Sequence, residues 1–178
     1  MRDFDVFPEA SGGFDFLVDG VFLGDMIAGA CDSRPPYISL LRRSLSGEGL
    51  TEQFARLLGR QPGPYYPTRI WLYFCPECFD EGCGGISANI TFTDSHVVWS
   101  KFSFDFEAEP GESEQQLLDE EDQLTAIPDL MFDRQQYEEA LNRLQVELSK
   151  SLLPLPGFFD GGRLRPRFRR WRRDRRLS

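Results

Sequence analysis

The chain has 178 residues, 40% of them apolar and 13% aromatic, which is enough to bury one core; 28% are charged, for a net charge of -9. No run approaches the roughly 18 uninterrupted apolar residues that a membrane span needs, and the opening "MRDFDVFPEASGG" lacks the apolar centre of a signal peptide. We therefore expect a cytoplasmic protein with no membrane association, built as one α+β domain over residues 1–162 followed by a tail.

In chain order, "FDFLVDGVFLGDM" alternates apolar and polar positions around Asp19-Gly20, a pair suited to a tight hairpin turn, with Phe14, Phe16, Val18, Val21 and Leu23 expected on one face. A loop "GACDSRPPY" and a short apolar run at 38–41 come next. In "LTEQFARLLG", Leu50, Phe54, Leu57 and Leu58 form one stripe of a helix over 51–58, with Thr51 as its N-cap and Gly59 and Pro62 ending it. "QPGPYYPT" is a rigid connector.

The centre reads as a meander of three strands. "RIWLYF" is a buried strand, and "GISANITF" turns Ile86, Ala88, Ile90 and Phe92 inward and Ser87, Asn89 and Thr91 outward. After a turn at "TDSH", "VVWSKFSFDF" sets Phe102, Phe104 and Phe106 against Trp99, Lys101 and Ser103 on the other face. The acidic stretch 107–126 is a solvated loop. In "MFDRQQYEEALNRLQVELSK", Asp133 and Gln136 have capping-box spacing, Phe132 and Tyr137 flank the cap as a staple, and Tyr137, Leu141, Leu144 and Leu148 recur at helical spacing. The expected architecture is an antiparallel sheet, hairpin plus meander, packed against this long C-terminal helix and the shorter one. "LLPLPGFFDGG" is an irregular strap.

Three cysteines fall within "FCPECFDEGCGG". A C-x2-C pair folds a knuckle whose sulfurs converge on one cation, and Cys83 can return to the same point after the "FDEG" turn, so Cys75, Cys78 and Cys83 with Cys31 as fourth ligand form a candidate zinc site. Asp80 or water are the other candidates for that position. His96, the only histidine, lies beyond a strand of about eight residues, roughly 26 Å away at ~3.3 Å per residue. Dithiol redox chemistry is the second reading, since "CPEC" ends a strand. It lacks the helix N-terminus that acidifies a thiol, and Glu77, Asp80 and Glu81 act in the opposite direction. The third reading is plain packing of small side chains in a turn.

The order "LYFCPECFDEGCGGI", "VVWSKFSF", "FDRQQYEEAL" resembles a family of uncharacterised actinobacterial proteins carrying a C-x2-C-x4-C-G element, a V-x-W strand and an F-D-x3-Y-x2-A-L helix. The resemblance spans about residues 14–148. Some members are loosely labelled oxidoreductase; where members often have glycine after the second cysteine, this chain has Phe79.

Residues 163–178, "RLRPRFRRWRRDRRLS", hold nine of the 20 basic residues and one of the 29 acids, a local +8 that leaves -17 on the remainder. Arginine outnumbers lysine 18 to 2, a usage typical of a GC-rich bacterial genome. Arg163, Arg165, Arg167, Arg169, Arg170, Arg172, Arg173, Arg175 and Arg176, with Trp171, can neutralise phosphates and stack on bases, fold onto the acidic body or another copy of it, or remain solvated. No P-loop, dinucleotide fingerprint or G-x-S-x-G elbow occurs in the sequence. The leading expectation is a non-catalytic acidic binding protein, of inhibitor or immunity type, whose partner is a basic protein and whose cysteine cluster is structural. The alternatives are a thiol- or metal-dependent oxidoreductase and a nucleic-acid-associated protein acting through the tail.

Overall fold

A computed structural model describes residues 1–10, 12–31, 37–42, 47–75, 77, 84–105 and 123–151. It is α+β, as expected: a three-stranded antiparallel sheet, a five-stranded antiparallel sheet and, among the described residues, three helices. The first sheet has the order β1 (Phe4–Pro8), β2 (Phe14–Val18), β3 (Val21–Phe22); helix α1 (Leu23–Ala30) follows at once. The second runs in chain order through β4 (Ile38–Ser39), β5 (Arg69–Phe74), β6 (Gly85–Phe92), β7 (His96–Asp105) and β8 (Leu130–Asp133). Helix α2 (Gly47–Leu57) precedes β5, and α3 (Arg134–Ser151) follows β8 without a loop.

The expected hairpin forms, and its turn has the left-handed backbone that Asp-Gly tolerates, with φ 49° at Asp19 and 80° at Gly20. Its second strand is shorter than expected. After Phe22 the chain turns helical, because Leu23 and Ile27 bury at i, i+4 spacing and the Asp15 carboxylate accepts the Gly24 N–H at 3.3 Å. Val21 is half exposed rather than on the core face. Strand β1 was not expected, and it decides the architecture. Its N-terminal side touches β8 through a parallel bridge between Arg2 and Phe132, while the start of β2 bridges the chain after β4 through Gly13 and Arg42, with Phe14 N–H bonded to Leu41 O at 2.8 Å. The β1–β2 hairpin thus spans from one edge of the larger sheet to the other, which covers strands that would otherwise be open.

Two bulges alter the expected faces. On β7, Ser103 and Ser100 oppose Ser87 and Asn89, so β7 carries one extra residue, and Lys101 takes it up at φ 50°. The extra residue returns Trp99 and Phe102 to the same face: both are buried in the main core, against the expectation that they lie on opposite faces. On β5 a shift between Trp71 and Tyr73 frees the Trp71 carbonyl, and the buried Gln53 amide of α2 donates to it at 2.6 Å. Ile70, Leu72 and Tyr73 join the main core, while Trp71 and Phe74 form a small cluster with Leu40.

Trp99 lies at the centre of the core, edge-on to Phe4, Phe16, Phe132 and Tyr137 with ring centres 5.0 to 5.9 Å apart. The helix stripes match the sequence reading: Leu50, Phe54, Leu57 and Leu58 of α2 and its end, and Tyr137, Leu141, Leu144 and Leu148 of α3, are all buried. Asp133 caps α3 by accepting Gln136 N–H at 2.9 Å, and the staple rings of Phe132 and Tyr137 stack at 6.0 Å. The cap expected for α2 is corrected. Helix α2 begins at Gly47, and Thr51 lies inside it with its hydroxyl donating to the Gly47 carbonyl at 2.7 Å. Gly59 does end the helix, at φ 67°, with Arg60 N–H reaching back to Ala55 O at 2.7 Å as in a Schellman turn. Of the expected acidic loop, residues 107–122 lie outside the described residues; Gln123 bridges Ser103 and Leu124 is buried. Phe106 and the strap after α3 also lie outside them.

Candidate functional site

Cys75 follows directly on β5, at the rim where the chain leaves the sheet for the C-x2-C-x4-C stretch. Cys31 closes α1, its N–H bonded to Ile27 O at 3.1 Å, and packs on the edge of the core. Both are half-buried thiols. Cys78 and Cys83 lie outside the described residues, as do the nine arginines and Trp171 of residues 163–178. Among the described residues no three His, Cys, Asp or Glu side chains gather as a metal ion requires. His96 opens β7 beyond the far end of β6 from the cysteine rim, with Ser95 Oγ 2.8 Å from its Nδ1.

Two buried polar centres stand in the fold, the first joining the two sheets and the second lying within the larger one. In the first, Asp15 on β2 is 2% exposed; its Oδ1 accepts the Phe16 N–H at 2.8 Å and the Tyr73 hydroxyl of β5. Burial pushes its carboxyl above the usual range, Tyr73 and the Phe16 and Gly24 amides oppose that shift, and nearby Glu9 adds to it. Glu9 itself pairs with Arg42 at 2.8 Å, with both side chains largely buried. In the second, Arg69 (2% exposed) and Asp105 (5% exposed) form a two-point ion pair across β5 and β7. The guanidinium also donates to Asn89 Oδ1 at 3.0 Å, to the Lys101 carbonyl at 3.1 Å and to Ser103 Oγ, so all five of its N–H groups have acceptors. Ser87 and Ser103 donate to Asp105. Ser87, expected to face outward, is therefore buried inside a polar network. The bond to the Lys101 carbonyl holds the β7 bulge in place.

The surface offers charge and grooves, two of them lined by described residues. The described residues include sixteen acidic and nine basic side chains. Six arginines already face carboxylates of the same chain: Arg2 with Asp19, Arg42 with Glu9, Arg56 with Glu52, Arg69 with Asp105, Arg134 with Glu138 and Arg143 with Asp5. Asp3, Glu48, Glu77, Asp94 and Asp129 are exposed outside those pairs. One groove, about 340 Å³, runs between β1 and α3. The other, about 470 Å³, lies where α2 ends beside the start of β5 and the end of β6, at the opposite end of β5 from Cys75.

Sequence reasoning missed both polar centres and the larger groove. Asp15 stood in an alternating strand as an ordinary outward residue, and Arg69 and Asp105 are 36 positions apart with no spacing rule to join them. Compared with protein-family models, curated proteins and solved structures, the chain matches none. Among the described residues, no helix is long and apolar enough to cross a membrane.

Proposed function

We propose that this protein is a non-catalytic acidic binding protein whose surface engages a basic protein partner, in the manner of an inhibitor or immunity protein. The observation that carries this reading is the way its charges pair. Six of the nine described cations are neutralised by carboxylates of the same chain, while exposed Asp3, Glu48, Glu77, Asp94 and Asp129 stand outside those pairs, so the charge that the described residues turn toward solvent is predominantly negative. Such a field steers a positively charged partner and raises its association rate, and it repels nucleic acid. The cysteine cluster has an architectural part in this reading, with zinc held by Cys75, Cys78, Cys83 and Cys31. Support comes from the ligand spacing and from the emergence of Cys75 at a strand end.

Immobilised full chain, exposed to an extract of its host, is expected to retain a basic protein that elutes as salt rises over a few hundred millimolar, where the screening length falls well below ~10 Å. Replacing Glu48, Asp94 and Asp129 by their amides is expected to slow the association of that protein. The reading fails if no basic protein is retained while the purified chain turns over a substrate.

A further inference from the structure

In a chain with 29 acidic and 20 basic residues, the larger groove is locally the reverse. Its lining includes Arg56 and Arg60 but no aspartate or glutamate. Arg56 lies in the last turn of α2, and Arg60 follows the helix, just after the left-handed turn at Gly59; both line the groove. The rest of the lining includes the buried apolar side chains of Ile70 and Ile90, the Phe92 ring, and Thr68 and Thr91. A volume of about 470 Å³ falls within the range of small-ligand sites, and an apolar lining with a few polar groups is their usual make-up.

Arg60 differs from the six paired arginines. Among the described residues its side chain donates to the neutral amide of Asn142 at 3.2 Å, which takes up one of its five N–H donors and leaves its charge uncompensated by a carboxylate there. The left-handed turn at Gly59 puts Arg60 there, because it reverses the chain immediately after α2. A side chain at position 59 would meet the Phe92 ring at 2.7 Å and fill this corner of the groove. The same ring also has Arg134 lying over it at 5.8 Å and Tyr137 packed edge-on at 6.2 Å, so the wall it provides is held from other sides.

We infer that this groove binds a small organic anion: an oxyanion headgroup, carboxylate or phosphate, taken by Arg60, with Arg56 beside it still paired with Glu52 at 3.5 Å, on an apolar or aromatic body laid over Ile70, Ile90 and Phe92. A guanidinium matches either headgroup with two parallel hydrogen bonds, and the apolar lining excludes a bare hydrated ion as the best ligand.

The test is titration of the full, ¹⁵N-labelled chain with phenyl phosphate and, separately, phenylacetate, reading amide shifts by NMR. Inorganic phosphate and benzyl alcohol serve as partial ligands. At least one of the two aromatic anions is expected to give saturable shifts centred on Thr68, Ile90, Thr91 and Phe92, and the tighter one identifies the headgroup. Both partial ligands should bind more weakly. Arg60→Ala should weaken binding roughly tenfold or more, the loss of one charge-assisted contact, Arg60→Lys should restore part of it, and Arg143→Ala, outside the groove, should leave it unchanged. The inference is overturned if neither anion saturates, if the shifts are confined to the arginines of residues 163–178, if benzyl alcohol binds as tightly as the anions, or if Arg60→Ala, folded by its spectrum, binds as the parent does.

Discussion

Asp15 shows how one buried carboxyl can connect two sheets and leave a pH signature. Its outward-facing neighbour amide, Phe16 N–H, is satisfied by its own side chain, as Val6 N–H is by Asp5 across the β1–β2 pair. Asp15 then also takes the Tyr73 hydroxyl. Because its folded pKa is raised by burial, the protonated form is favoured in the native state, so its contribution to stability is full below the ordinary carboxylate pKa and is lost as pH climbs from about 4 through the raised value. Asp15→Asn keeps an acceptor for Tyr73 and Phe16 but cannot ionise. The stability difference between parent and variant is therefore expected to shift in favour of the variant as pH rises from 4 to 7, with a slope of at most about 1.4 kcal/mol per pH unit. Urea unfolding of both proteins across that range measures it, and a difference that stays flat would mean that the carboxyl titrates normally.

At the scale of elements, α3 is fixed to the rest of the fold by one hydroxyl as well as by its apolar stripe. Tyr137 is fully buried among Phe4, Phe132 and Trp99, and its hydroxyl donates at 2.7 Å to the Leu57 carbonyl, one of the acceptors left over at the end of α2. Burial raises the pKa of that hydroxyl, so it stays a donor at any ordinary pH. Tyr137→Phe keeps the ring packing and leaves a buried carbonyl without its partner. It should cost about 1–3 kcal/mol in urea denaturation, with native-like near-ultraviolet dichroism. A cost near zero would mean that water replaces the hydroxyl and that the two helices are held by apolar contact alone.

Over the whole molecule the decisive quantity is the division of charge, with -17 on residues 1–162 and +8 on residues 163–178. If the acidic surface is the binding surface, the arginine tail competes with any basic partner for it. Deleting residues 163–178 changes the net charge from -9 to -17 and is then expected to strengthen binding of a polylysine peptide at low salt, an effect that should vanish as salt is raised. Fluorescence anisotropy of the labelled peptide reads this directly. A drop in RNA affinity in the deleted chain, without any gain for polylysine, would favour the nucleic-acid reading of the tail instead. Zinc is tested on the same protein: one equivalent by elemental analysis and a melting temperature lowered by chelator are expected of a structural site.

The sequence by itself determined the elements whose signal is local: the Asp19-Gly20 turn, the apolar stripes of α2 and α3, the Asp133 cap, the Phe132–Tyr137 staple, the three-strand meander and the α+β class. Each rests on contacts within a few residues or on one repeated spacing, which a linear pattern displays. Only the tertiary structure decided that β1 and β2 span both edges of the larger sheet, that the Lys101 bulge returns Trp99 and Phe102 to one face, and that Asp15, Arg69 and Asp105 are buried with partners. The physical reason is the same in all three cases. A covered sheet edge, a bulge or a buried charge is satisfied by a group distant in sequence that pairs with the otherwise open backbone group or carboxylate, and no local periodicity records which distant group that is.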